Sequence, residues 1–152
     1  MGPYKQVHSA ATYIRDGRAP IPEKELTSRI MSAIRAKNTQ PEIILRKALF
    51  RAGFRGYRLN YRKVVGSPDI CFPKNKIAIF VHGCFWHWCP RCQPTLPKTH
   101  SSFWKAKFTK NRARDKKKLA LLQQDDWITL VFWECEIKKN LGRCIKKVAR
   151  YF

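Results

Sequence analysis

Acidic residues are scarce in this chain. Of its 152 residues only 10 are Asp or Glu, against 32 Lys or Arg, which leaves a formal net charge of +22. Solubility does not require an imbalance of this size, so the composition predicts a polyanionic partner, most simply nucleic acid. An anionic membrane surface is the less favoured alternative, because no basic amphipathic helix with a Leu/Phe face stands out.

Long hydrophobic segments are also missing. The longest purely apolar run, Ile77 to Val81, is far too short to span a bilayer. Residues 1–10 do not contain the apolar stretch of a secretory signal, so we expect a cytoplasmic protein. In that compartment, clustered cysteines bind metal more often than they form disulfides.

Residues 82–92 concentrate thiols, imidazoles and aromatic rings in one short segment. Cys84, Cys89 and Cys92 follow a C-x4-C-x2-C pattern, which is typical of three ligands of a structural zinc site. Such a site needs a fourth ligand, and Cys135 is the downstream candidate. A disulfide pair or loose core cysteines would be the alternative. The cysteines that stand apart are interpreted as buried small apolar groups: Cys71 and Cys144.

The chain length suits one domain, and 44% hydrophobic residues can build a core. Turn residues mark 1–22 as an arm or extension, which leaves a single domain over 23–152. We predict helices over 23–36, 39–52, 101–124 and 138–150, and strands over 57–63, 68–72, 77–82 and 127–133. Thr39 should cap the second helix, Gly53 should end it, and Ser101 or Ser102 should cap the third. The order α-α-β-β-β-α-β-α predicts an α/β fold, a mixed sheet flanked by helices.

Three of the scarce acids occupy informative positions. Asp69 begins an apolar strand, and a carboxylate there, close to the strand that ends at His82, suits a Mg²⁺ site. An ordinary Pro-Asp turn explains its position equally well. Glu42 fits a capping box in which it accepts from the Thr39 backbone N–H. Asp115 fits either an ion pair on a helix or a carboxylate that orients a histidine.

Taken together, these motifs resemble the very-short-patch-repair (Vsr) DNA mismatch endonucleases over roughly residues 26–136. The His-Gly-Cys-Phe-Trp-His segment is the most specific of them. Five blocks carry the resemblance in order: Ser28 to Arg35 with Lys37 to Glu42, Gly66 to Asp69, Phe80 to His87, Phe103-Trp104 with Asn111 to Asp115, and Val131 to Cys135.

The resemblance implies a restriction-endonuclease-like core that binds duplex DNA as a monomer, in a bacterial or phage-type, nucleoid-associated setting. It implies Mg²⁺-dependent nicking of one strand 5′ to the T of a T:G mismatch. Such nicks initiate very short patch repair of deaminated 5-methylcytosine. The cofactors implied are a catalytic Mg²⁺ and a structural Zn²⁺.

The resemblance also assigns roles to residues. Asp69 would bind the magnesium beside the backbone carbonyl of Val81, and His87 would activate the attacking water. The companions of His87 would be the remaining polar residues of the site: His82, Asp115 and Glu42. The residues that would insert into the DNA stack at the mismatch are Phe85, Trp86, Trp104 and, from the other groove, Met31.

Two departures from the family pattern leave alternatives open. Trp88 and Cys89 replace part of a histidine-rich run, so the zinc ligands here would be four cysteines. The N-terminal extension is longer than the family's and could set a different specificity. The same core could serve a sequence-specific homing or restriction-type endonuclease. A non-catalytic zinc-stabilised DNA-binding module is a further alternative, against which the intact catalytic set argues.

Overall fold

The structure is a computed structural model that describes residues 37–152. The helix predicted over 23–36, the arm over 1–22 and the inserting residue Met31 lie outside these residues. The division of the chain into an arm and one domain therefore stays a prediction.

Four strands form one mixed sheet in the order β1-β2-β3-β4. The strands are β1 (Arg58–Leu59), β2 (Ile70–Phe72), β3 (Ile77–His82) and β4 (Ile128–Trp133). The pairs β1–β2 and β2–β3 are antiparallel, and a 3₁₀ turn over Pro73–Asn75 connects β2 to β3. The pair β3–β4 is parallel and places His82 opposite Trp133 at its carboxyl end. The predicted mixed α/β fold is thus confirmed.

Helix α1, Gln40–Arg51, begins after Thr39 and ends before Gly53, as the sequence predicts. Gly53 has a φ of 91°, a conformation that glycine adopts without steric cost. Its N–H donates to Phe50, and the N–H of Phe54 donates to Leu49 at 3.0 Å. These two bonds form a Schellman motif, which satisfies carbonyls that the helix end would otherwise leave open.

Helices cover both faces of the sheet because the strand side chains alternate. Helix α1 packs on one face together with α3 (Glu134–Lys139) and α4 (Leu141–Ala149). Helix α2 (Ser101–Gln124) covers the other face through Leu122. The core of the first face consists of Leu45, Leu49, Ile70, Phe72, Ile77, Ile79, Leu130, Phe132, Ile137, Cys144 and Val148.

The isolated cysteines are buried, as predicted. Cys71 and Cys144 are both 0% exposed and both are free thiols. Burial raises the pKa of each thiol to about 11, so both remain protonated at neutral pH.

Three element predictions were wrong in detail. Strand β1 has two residues instead of seven, because Asn60 has a φ of 47° and bends the chain out of the sheet. The predicted last helix is two helices separated at Asn140, whose side chain accepts from the Arg143 N–H. Helix α2 begins after His100, so neither predicted serine is its N-cap.

The helices of residues 37–152 do not suit a membrane span, because none of them is both long and apolar enough to cross a bilayer.

Candidate active site and cysteine cluster

A cavity of about 740 Å³ opens beside the carboxyl end of β3. The start of α1, the turn before β2 and helix α2 complete its walls. Five polar or metal-site residues predicted from the sequence line it: Glu42, Asp69, Val81, His82 and His87. The structure therefore gathers residues that are separated by up to 45 positions in the chain.

Asp69 is held at the floor of this cavity by the neighbouring strand. A turn with positive φ at Gly66 and Ser67 leads the chain into β2. The Oδ2 atom of Asp69 accepts a hydrogen bond of 2.7 Å from the Val81 N–H of β3. Burial raises the pKa of the carboxyl to about 6, although this hydrogen bond opposes the shift. A half-buried carboxylate of this kind, open to the cavity, is suited to a bound cation.

Glu42 also faces the cavity, and its side chain is held by the segment before α1. Its Oε1 accepts from the Thr39 hydroxyl at 2.7 Å, and its Oε2 accepts from the Asn38 N–H at 2.9 Å. The sequence predicted that Glu42 would accept from the Thr39 backbone N–H. In the structure Glu42 accepts from the N–H of Asn38 instead, one residue earlier, because Asn38 has a φ of 54°. At 6% exposure, Glu42 lies beside Asp69 and contributes to its raised pKa.

Asp115 joins the histidines of the site. Its Oδ2 lies 2.5 Å from Nδ1 of His87 and 3.9 Å from Nε2 of His82. Its Oδ1 lies 2.9 Å from Nζ of Lys118. Burial alone would raise the pKa of Asp115, but the bonds from His87 and Lys118 hold it far below its usual range. The carboxylate is therefore ionised and acts only as an acceptor.

The ionised Asp115 determines which nitrogen of His87 is basic. An acceptor at 2.5 Å from Nδ1 requires that this nitrogen carry the proton, so neutral His87 has its lone pair on Nε2. The His82 ring stacks on the His87 ring with centroids 4.0 Å apart. Burial lowers the pKa of His82 to about 4, so at neutral pH its contact with Asp115 is not an ion pair.

The loop that carries His87 is tied to helices on either side. Asn111 of α2 donates to the Trp86 carbonyl at 2.9 Å. Glu134, the first residue of α3, accepts from the Cys84 N–H at 3.3 Å. Within the loop, the His87 N–H donates to the Gly83 carbonyl. These bonds connect the position of the imidazole to two elements of the fold.

Four thiols converge at the far side of this loop. The Sγ atoms of Cys84, Cys89, Cys92 and Cys135 all lie within 4.8 Å of one another. Cys89 and Cys135 have their sulfurs 3.8 Å apart, and the Cys135 N–H donates to the sulfur of Cys84. All six cysteines of the chain are free thiols, so the disulfide alternative is not what the structure contains. The cluster could hold a metal ion.

An ion pair that the sequence analysis missed connects the two segments supplying these thiols. Arg91, between Cys89 and Cys92, lies 3.2 Å from Oε1 of Glu136, which follows Cys135. The Glu136 side chain is 8% exposed, and its Oε2 has no hydrogen-bond partner among residues 37–152. The pair therefore connects the loop to the start of α3.

The predicted inserting residues belong to one aromatic cluster. Trp86 lines the cavity, and Phe85 contacts both Trp86 and Trp104 edge-on at 5.1 and 5.2 Å. Trp104 is only 8% exposed and packs on Phe108. Trp86 and Phe85 are half-buried, so Trp104 is the innermost of the three. Their insertion into DNA stays a prediction.

The cavity residues without a predicted role include Lys118 and Glu134, although signals for both exist in the sequence. Lys118 lies three residues after Asp115 on a helix, the spacing at which opposite charges pair. Glu134 lies four residues before Lys138, with which it forms a pair of 2.6 Å. Helix spacing alone could have found both pairs, but not their place beside the cavity.

Comparison with known proteins identifies the family. Residues 20–92 match the family model of the DNA mismatch endonuclease Vsr. The DNA mismatch endonuclease Vsr of Escherichia coli is 32% identical over 120 residues, which cover 79% of this chain and 76% of that protein. This chain belongs to the Vsr family. As a Vsr-family member it is a DNA endonuclease, and its macromolecular partner is DNA.

Other Vsr-family relatives are named as nicking enzymes. The Type II nicking enzyme V.XorIIP of Xanthomonas oryzae is 42% identical over 113 residues, covering 74% of this chain and 82% of that enzyme. The Type II nicking enzyme V.NmeAIP of Neisseria meningitidis is 42% identical over 121 residues, covering 80% and 85%.

Proposed function

We propose that this endonuclease nicks one strand of duplex DNA 5′ to the T of a T:G mismatch and depends on Mg²⁺. Such nicks would initiate very short patch repair of deaminated 5-methylcytosine. The observation that carries the proposal is that Asp69 and His87, whose ring is hydrogen-bonded to Asp115, line the same cavity. The four-stranded mixed sheet would correspond to a restriction-endonuclease-like core.

The cation would bind at Asp69. Mg²⁺ prefers a few carboxylate and carbonyl oxygens, with water and phosphate completing its shell. Asp69 has one oxygen engaged by the Val81 N–H and faces an open cavity with Glu42 beside it, which fits this donor set. The Val81 carbonyl is the proposed second protein ligand. When bound there, Mg²⁺ would supply a Lewis acid for the scissile phosphate.

The base would be His87. Its Nε2 carries the lone pair and can accept a proton from a water molecule in the cavity. Asp115 holds the ring in this tautomer and would stabilise the imidazolium that forms. His82 stacks against the ring, which limits its rotation. Glu42, fixed by Thr39 and Asn38, would orient the metal-bound water.

Mismatch selectivity would come from the aromatic cluster. Wedging a side chain into the DNA stack costs a few kcal/mol per base step, and a mispair lowers that cost. Trp86 lines the cavity and is the described residue best placed to wedge, with Phe85 and Trp104 packed beside it. Met31 is proposed to insert from the opposite groove. One monomer would suffice for a nick in one strand.

The exposed surface of helix α2 supplies cations for the DNA backbone. Its buried positions are Trp104, Phe108, Asp115 and Leu122. Six of its basic residues are exposed: Lys105, Lys110, Arg112, Arg114, Lys116 and Lys117. Neutralising phosphates releases counterions, so DNA binding should weaken as salt is added. The logarithm of the binding constant should fall against the logarithm of the salt concentration with a slope of about −0.9 per phosphate contacted.

The decisive assay compares two duplexes that differ only by T:G or T:A at one position. We expect a single nick 5′ to the mismatched T in Mg²⁺, no nick in EDTA, and much slower cutting of the T:A duplex. The product is located on a sequencing gel with each strand labelled separately. Equal cutting of both duplexes at one sequence would favour a homing or restriction-type endonuclease. Binding without cutting in any divalent metal would favour a non-catalytic module.

We further propose that Cys84, Cys89, Cys92 and Cys135 hold one structural Zn²⁺. A tetrahedral zinc with Zn–S distances of about 2.3 Å separates its sulfurs by roughly 3.8 Å. The Cys89 and Cys135 sulfurs are 3.8 Å apart, which fits that geometry. The cluster also anchors both ends of the short segment that carries His87, so its loss should disturb the cavity.

Purified protein should contain about one zinc per chain by elemental analysis. Cys135→Ser should lose most of this zinc and lower the melting temperature, because it removes a ligand without creating space. Cys144→Ala is the matched control, since it changes a buried cysteine outside the cluster and should retain the zinc. A folded wild-type protein without zinc, or a disulfide within the cluster, contradicts this prediction.

A further inference from the structure

Lys118 has an unusual environment for a lysine on a basic helix. It lies on the cavity wall, and only 26% of its side chain is exposed. Its Nζ lies 2.9 Å from Oδ1 of Asp115, whereas Oδ2 of the same carboxylate bonds to His87. Lys116 and Lys117, its neighbours on α2, are exposed. Lys118 is therefore part of the site and not of the solvated face.

The aliphatic part of Lys118 is confined as well. A Cβ atom added to Gly66 would lie 2.9 Å from Cδ of Lys118, so the turn before Asp69 lies directly against the lysine stem. On the other side, Nζ lies 5.3 Å from the centroid of the Phe80 ring. The lysine is thus held between the turn and strand β3, with its ammonium directed at Asp115.

We propose that Lys118 is a positioning residue for the nicking reaction, which holds Asp115 by Oδ1 so that Oδ2 stays on Nδ1 of His87. The proposal rests on the proposed role of His87 as the base. Asp115 has 11% of its side chain exposed, so without Lys118 its Oδ1 would lose its partner in a largely buried place. A carboxylate in that state gains stability by rotating toward water, which would release the imidazole from its working orientation.

The test is a single-turnover nicking experiment with saturating protein, on whichever duplex the wild-type protein cuts. Lys118→Met removes the ammonium but keeps an aliphatic stem. We expect its rate constant to fall by about 10²-fold, as small misplacements of catalytic groups do, with DNA affinity unchanged. Lys118→Arg, which also offers N–H donors to a carboxylate, should recover part of the rate. Lys74→Met, at an exposed lysine of the 3₁₀ turn before β3 that does not line the cavity, should keep the wild-type rate constant.

A coupling measurement separates positioning from a merely structural role. In an Asp115→Asn background, Lys118→Met should cause little further loss, because the link it supports is already broken. Full additivity of the two losses would overturn the proposal. A wild-type nicking rate for Lys118→Met would also overturn it. So would an unchanged rate combined with weaker DNA binding and a salt slope reduced by about 0.9, because that combination indicates that Lys118 contacts a phosphate.

Failure of this proposal is distinguishable from failure of the proposed function. Each variant is compared with the wild-type protein on the same duplex, so loss of T:G preference bears on specificity alone. If His87→Ala cuts at the wild-type rate, the role of the base is wrong and Lys118 has nothing to position. If His87→Ala is inactive and Lys118→Met is not impaired, only the present proposal fails.

Discussion

Replacing Asp69 with Asn should abolish nicking in Mg²⁺ while leaving DNA binding close to that of the wild-type protein. The amide keeps the size of the carboxylate and can still accept from the Val81 N–H, but it lacks the charge that holds a divalent cation. Because Asp69 is half-buried in the cavity wall and is not itself a cation, its loss removes no phosphate contact. Nicking is measured over hours on the mismatched duplex, and binding by fluorescence anisotropy without metal.

Asp125→Asn is the matched control for this experiment. Asp125 is exposed at the end of α2 and does not line the cavity, so its replacement should change neither nicking nor DNA binding. Melting temperatures of both variants show whether the fold is retained. Cutting by Asp69→Asn at a rate near that of the wild-type protein would show that the cation does not bind where we propose.

Replacing His87 with Ala should lower the rate constant of nicking by about 10²–10⁴-fold, the range that a general base contributes. The physical reason is that Nε2 of His87 is the basic nitrogen of the His87–Asp115 pair. His82 is held neutral by burial, and its Nε2 lies 3.9 Å from Asp115, which is too far for a hydrogen bond. Single-turnover kinetics in Mg²⁺ measures this effect directly, without a contribution from product release.

A double-mutant comparison checks that His87 and Asp115 act together. Asp115→Asn should be slower than the wild-type protein but faster than His87→Ala, since it disturbs the tautomer and leaves the imidazole. The double variant should be no slower than His87→Ala, because groups that act as one unit lose their effects together. Independent, multiplying losses would mean that Asp115 serves a separate purpose, such as stabilising helix α2.

The cysteine cluster and the cavity share one loop, so the stability of the cluster affects the position of His87 in the cavity. Cys84 and Cys89 flank the segment Phe85 to Trp88, so the backbone that presents His87 lies between two proposed zinc ligands. Glu134 and the Arg91–Glu136 pair attach the same loop to α3. A metal in the cluster would therefore fix the imidazole indirectly, without any part in the reaction.

Several features of the site could be predicted because they are local in the sequence. The spacing of Cys84, Cys89 and Cys92 indicated a thiol cluster, and the structure brings Cys135 to it. The polar residues singled out beforehand, such as Asp69 and His87, do face one cavity. Their catalytic roles stay predictions. The environment of Met31 lies outside the described residues.

Other features depend on backbone conformations that the periodicity of the sequence does not encode. The length of β1 depends on the backbone of Asn60, which takes a left-handed conformation where an alternating pattern suggested a strand. The hydrogen bonds of Glu42 depend on the conformation of Asn38, which replaced the expected capping box. In both places a single positive φ decided the outcome.

The sequence by itself determined the class of fold, the basic character that suits DNA, and the thiol and imidazole chemistry of residues 82–92, because each follows from residue types and short spacings. Only the tertiary structure decided which oxygen of Asp115 serves His87 and which serves Lys118. It also placed Gly66 against the stem of that lysine. These relations join residues from the turn before β2, the loop after β3 and helix α2, and only packing on the central sheet brings those segments within bonding distance.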